Sequence, residues 1–189
     1  MRFWDSSALL PLFVREGHSP LMEALVGDDP EMMVWWASPV ECASAVQRLR
    51  RDGVFAPAAA AEVLARLTEA LDAANLVQPG DALRARALRL LGAHPLRAAD
   101  ALQLAAALLW ARETPAGRDF VCLDERLRTA AILEGFQVLP ADSAQTSELG
   151  ALSGDAEGRP RSILPPPDPE LNGTQKRGFG VFKRGPGAV

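Results

Sequence analysis

Arg2-Phe3-Trp4-Asp5-Ser6-Ser7-Ala8-Leu9-Leu10 places a short aromatic run, then an acid, then two small hydroxyl residues and the start of an apolar stripe. Read by periodicity, Arg2 to Asp5 is a strand and Ser6 to Arg15 a helix, with Leu9, Leu10, Phe13 and Val14 on one face despite Pro11 near its start. The same succession returns at Phe120-Val121-Cys122-Leu123-Asp124-Glu125-Arg126-Leu127. There a strand over 120–123 leads through Asp124 into a helix over 125–134 that Gly135 ends, and a last strand follows over 136–139.

Between these two stretches the pattern keeps alternating. A helix is predicted over 20–26, an apolar strand over 32–37, and a helix over 38–51 stopped by Asp52-Gly53. A long alanine-rich helix over 56–74 carries Val63, Leu64, Leu67 and Leu71 at helical spacing, before a short strand over 75–78. Helices over 81–91 and 97–112 complete the series. Ala101 to Ala111 contains no charge, so that last helix is expected to be almost fully buried. Short strands alternating with longer helices predict an α/β fold.

The composition of the 189 residues, 48% hydrophobic and 23% charged with a formal net charge of −4, suits a globular domain large enough for a real core. No apolar run approaches the ~20 residues of a membrane span, and Met1 to Asp5 is charged too early for a signal peptide, so a soluble cytoplasmic protein is expected. Cys42 and Cys122 are the only cysteines and His18 and His94 the only histidines, which speaks against a disulfide framework and against zinc. Composition shifts near residue 140: the last 49 residues hold 8 of the 15 glycines and 6 of the 15 prolines. Residues 1–140 therefore read as one domain, and 141–189 as a disordered tail with a basic, solvated end (Lys176, Arg177, Lys183, Arg184).

Asp5, Glu41, Asp100 and Asp124 each stand where an element begins or ends. Singly, each has an ordinary explanation. Asp5 and Asp124 are placed to cap the helices that follow them. Glu41 completes Ser38-Pro39-Val40-Glu41, a capping-box pattern with proline at the first helical position, and Asp100 sits in a first turn, where the macrodipole favours an acid. Together they have another meaning. In a parallel α/β sheet the strand C-termini and following helix N-termini share one edge, where ligand crevices form. Four carboxylates meeting there would repel one another unless protonated or neutralised by a cation, and oxygen ligands favour Mg²⁺ or Mn²⁺.

The segments Phe3-Trp4-Asp5-Ser6-Ser7-Ala8-Leu9, Ser38-Pro39-Val40-Glu41-Cys42-Ala43-Ser44-Ala45, Leu96 to Ala107 and Phe120 to Leu127 resemble, in order, the four acidic motifs of PIN-domain ribonucleases, and most closely those of VapC-type toxins. The resemblance spans residues 1 to about 140, and its third motif is the most specific. It implies a three-layer α/β/α fold around a parallel sheet of five strands, with Asp5, Glu41, Asp100 and Asp124 as catalytic metal ligands. It further implies Mg²⁺-dependent cleavage of single-stranded RNA leaving a 3′-hydroxyl and a 5′-phosphate, a homodimer, and inhibition by a cognate antitoxin. Where the family often has Thr or Ser two residues before its last acid, this chain has Cys122.

An anionic substrate needs local positive charge. Arg97, one turn before Asp100, is the first candidate for a phosphate contact, and Arg126 and Arg128 are the next. Arg48, Arg50 and Arg51 read as a solvated helix end, and the pair Trp35-Trp36 as core rather than as a base-stacking platform. Two other function classes compete. A receiver domain or Asp-nucleophile phosphatase needs a lysine that residues 1–140 lack, because Lys176 and Lys183 are the only lysines. A PIN-like module that binds RNA or protein without catalysis, or a housekeeping PIN nuclease without antitoxin, would carry much the same pattern.

Overall fold

The computed structural model describes residues 1–141 and the two-residue strand Ser162–Ile163. Five parallel strands form the central sheet: β1 (Arg2–Trp4), β3 (Met32–Trp35), β4 (Asn75–Val77), β5 (Asp119–Val121) and β6 (Gln137–Leu139), in the order β4-β3-β1-β5-β6. The α/β class and the parallel five-stranded sheet are as the sequence predicts.

Alternation along each strand divides the interior in two. Phe3, Trp35 and Phe120 face a core completed by α5 (Asp81–Ala93), α6 (Ala98–Trp110) and α7 (Glu125–Leu133). Their neighbours Trp4, Val34 and Val121 face a second core, closed by α1 (Ser6–Leu9), α2 (Ser19–Asp28), α3 (Ser38–Arg51) and α4 (Pro57–Asp72). Phe3 stacks on Phe120 with ring centroids 5.4 Å apart across the β1–β5 pair. The uncharged stretch of α6 after Asp100 is buried as expected, with Ala101 and Leu104 to Leu108 all in the core. α3 begins and ends where predicted, its end marked by Gly53 at φ 75, a conformation glycine adopts freely.

The helix predicted over 6–15 does not run through. It stops at Leu9, tightens into a 3₁₀ turn over Leu10–Leu12, and gives way to a short strand, β2 (Val14–Arg15). Pro11 supplies the reason, since it has no N–H for the α-helical ladder and its ring crowds the carbonyl four residues back. β2 pairs antiparallel with β7 (Ser162–Ile163), so part of the stretch predicted as disordered forms strand. The rest of that prediction, 142–161 and 164–189, lies outside the described residues. No helix among the described residues is long and apolar enough to cross a membrane.

Candidate active site

β1 and β5 run side by side, and each leads to an aspartate that caps a helix: Asp5 directly after β1, and Asp124 after Cys122 and Leu123. The Asp5 N–H donates to the Val121 carbonyl at 2.9 Å, which ties the exit of β1 to β5. Asp5 Oδ2 accepts from the Ser7 N–H at 2.8 Å and from the Ser7 hydroxyl. Ser7 Oγ in turn accepts from the Leu123 N–H at 2.9 Å. Asp124 Oδ1 accepts from the N–H groups of Arg126 and Leu127 at 3.1 and 3.0 Å. Both aspartates are thus the helix caps that sequence suggests.

Asp100 is also a structural acid, because its Oδ2 reaches back to the Arg97 N–H at 3.1 Å. α6 brings it to the same edge of the sheet: the chain leaving the far end of α6 enters β5, whose own end carries Asp124. Glu41 departs from expectation. Ser38 lies inside the first turn of α3, with Ala37 as its cap residue, so the predicted capping box does not form. Glu41 Oε2 instead accepts from Gln103 Nε2 of α6 at 2.7 Å. Each of the four acids therefore has one oxygen held by a protein donor. Glu41, Asp100 and Asp124 have no further hydrogen bond to the other oxygen among the described residues.

Asp5 is the most buried of the four, 3% exposed, and no arginine among the described residues forms an ion pair with it or with the other three. Burial is the main cause that pushes its carboxyl up to about 6; the Ser7 hydrogen bonds oppose the rise, and the Glu41 charge adds to it. Asp5 and Glu41 are close enough to act on each other electrostatically. Both also act on the buried Cys42 thiol, which burial and these two charges push up to about 12. Cys122 stands between Asp5 and Asp124, its Sγ 3.7 Å from Asp5 Oδ2 and 3.6 Å from the Asp124 carbonyl. Where Cys122 has no hydroxyl, the one beside Asp5 comes from Ser7 of α1.

The four acids do not form one closed coordination sphere. Among the described residues, no group of three or more His, Cys, Asp or Glu side chains is arranged to hold a metal ion. Mg²⁺, however, is commonly held by one or two carboxylates and keeps several waters. Asp5 and Glu41, buried or half-buried oxygen donors without a cationic partner among the described residues, suit an ion bound in that way, and the described residues offer zinc no set of three or more ligands.

No protein-family model matches the sequence, and no curated protein is significantly similar to it. A solved structure does share the fold. PAE2754 from Pyrobaculum aerophilum is similar with a TM-score of 0.51 at 17% identity, over 79% of this chain and 95% of that one. A toxin-antitoxin complex from Klebsiella pneumoniae aligns with a TM-score of 0.48 at 17% identity, over 66% of this chain and 87% of that one. At such identity the likeness to PAE2754 is one of architecture alone.

Of the predicted basic contacts, Arg97 and Arg126 are exposed beside Asp100 and Asp124. Arg128 is not available in the same way. It is 6% exposed, and its guanidinium donates to the carbonyls of Cys122 at 2.8 Å and Pro140 at 2.7 Å, which makes it a strut between the ends of β5 and β6. Of the two tryptophans, Trp35 is core and Trp36 half exposed. Sequence reasoning missed Ser7 and Gln103. A signal for Gln103 was present, since it is the only polar residue from Ala101 to Ala111 and stands one turn after Asp100.

Proposed function

We propose that the chain is a Mg²⁺- or Mn²⁺-dependent endoribonuclease of the PIN type that cleaves single-stranded RNA in the cytoplasm, as the toxic member of a VapBC-type pair. The observation that carries this reading is the buried Asp5 carboxylate at the C-terminal edge of the sheet, within electrostatic reach of Glu41 and with no basic side chain among the described residues paired to either. Asp5 and Glu41 would be the inner ligands, with Asp100 and Asp124 flanking them. When bound, the ion supplies activation of water for in-line attack and offsets charge on the phosphodiester. Ser7 holds Asp5 in place, and exposed Arg97 and Arg126 meet the RNA backbone. The exposed leucines Leu88 on α5 and Leu133 on α7 offer apolar surface to an antitoxin or to a second copy of the chain.

The test compares purified protein with Asp5→Asn and Asp100→Asn variants on a mixed RNA pool in Mg²⁺, Mn²⁺ or EDTA. Cleavage that needs the cation and both acids is expected; cleavage that survives EDTA or either substitution would sink the reading. Growth on induced expression, with and without the neighbouring gene, separates a toxin from a housekeeping nuclease. The lack of a three-acid cluster among the described residues favours a second reading, a PIN-like module that binds RNA without cutting it. Cation-independent RNA binding with no cleavage would establish that alternative.

A further inference from the structure

Gln103 is 1% exposed in a stretch of α6 otherwise built from alanine, leucine and tryptophan. Its Nε2 donates to Glu41 Oε2 at 2.7 Å and to the buried Ser38 hydroxyl at 3.2 Å, while its Oε1 is buried with no donor. An amide held this way costs the core stability, because burying an acceptor without a partner is unfavourable and an apolar side chain of the same length would fill the space. Packing alone gives no reason for it. The return is on the other helix, where Gln103 is the only donor to the Glu41 carboxylate among the described residues, and Glu41 does not cap its own helix.

We propose that Gln103 is a positioning residue: its amide fixes Glu41 Oε2, so that Oε1 is presented beside Asp5 in one orientation. Asp100 and Gln103 are three residues apart and share one face of α6. One turn of this helix therefore contributes an acid at the rim of the site and the next turn orients an acid on α3. Supporting hydrogen bonds of this kind set both the direction and the basicity of a ligand carboxylate. The inference rests on the metal-dependent reading above, and its test is arranged to fail separately.

The measurement is Mn²⁺ affinity without RNA, from the electron paramagnetic resonance signal of free Mn²⁺, for the full chain and for Gln103→Met, Glu41→Ala and the double variant. Gln103→Met is expected to weaken Mn²⁺ binding roughly 10-fold while its melting temperature equals or exceeds that of the parent. In the Glu41→Ala background, the same substitution should change affinity by less than about 2-fold, because its effect passes through Glu41. Gln103→Leu gives a second apolar replacement should Gln103→Met fold poorly. Unchanged affinity in the folded Gln103 variants, or a full additional loss on top of Glu41→Ala, overturns the positioning role and leaves the metal reading intact. A parent chain that binds no Mn²⁺ overturns both.

Discussion

The Ser7 hydroxyl donates to Asp5 Oδ2 and accepts from the Leu123 N–H, so one small side chain locks the end of β1 to the end of β5 at the most buried acid of the site. Ser7→Ala removes a charge-assisted hydrogen bond and orphans a backbone donor. A loss of about 1–3 kcal/mol is expected in urea denaturation. The Asp5 carboxyl should titrate still higher, because a bond that favours its ionised form is gone. An apparent carboxyl pKa equal to that of the parent, followed by carbonyl NMR, would refute this assignment.

In EDTA, Asp5 makes stability fall as pH rises. Its folded carboxyl lies at about 6, above the 3.8 of an ordinary aspartate, so between those limits the folded state holds a proton that the unfolded chain has released. The contribution is present below the lower value and has been lost above about 6, a change on the order of 3 kcal/mol. Asp5→Asn should flatten this part of the pH–stability curve and be the more stable protein at pH 7. Chemical denaturation from pH 4 to 7.5 measures both. A curve for Asp5→Asn that still falls as the parent's does would show that another group is responsible.

The arginines should separate cleanly. Arg128→Met removes a buried guanidinium that bonds two carbonyls, and a loss of at least 2 kcal/mol is expected. Arg97→Ala and Arg126→Ala lie on the surface and should stay within about 0.5 kcal/mol of the parent. Each of these two should instead lower RNA affinity and reduce the slope of log K against log salt by about 0.7 to 1. Filter binding over a salt series on a catalytically inactive background checks it.

Neither thiol should react in the native protein. Burial holds Cys42 at about 12 and pushes Cys122 well up as well, with Asp5 adding to both, so the thiolate fraction at neutral pH is negligible. Ellman's reagent should therefore label no cysteine before unfolding and two afterwards. Fast labelling of one site in folded protein would mean that the Asp5 neighbourhood opens on its own.

What the sequence revealed and what it hid follow from range. Apolar periodicity and stop signals are local, and they placed α3 and the five parallel strands well. Pro11 was visible, but whether it would sit in the first turn of a helix or break one depended on how β2 packs. The capping role of Glu41 and the accessibility of Arg128 were misread because each side chain is satisfied by a partner far along the chain or across strand ends. Ser38-Pro39-Val40-Glu41 looks like a capping box until Gln103, 62 residues on, takes the carboxylate. Arg128 looks like a neighbour of Asp124 until the carbonyls of Cys122 and Pro140 claim it. The local roles of Asp5, Asp100 and Asp124 were legible because a cap or first-turn acid is read from neighbouring residues alone.

Phe3 and Trp4 are adjacent in β1 yet belong to opposite cores, and Asp5 is the very next residue. A slip of β1 by one position would push each aromatic ring into the compartment shaped for the other and would carry Asp5 off Ser7 and Val121. Correct assembly of the hydrophobic interior and correct placement of the acid are thus a single event. A chain with β1 out of register would lack its candidate catalytic centre as well as its packing, so a misassembled sheet would be silent rather than indiscriminate.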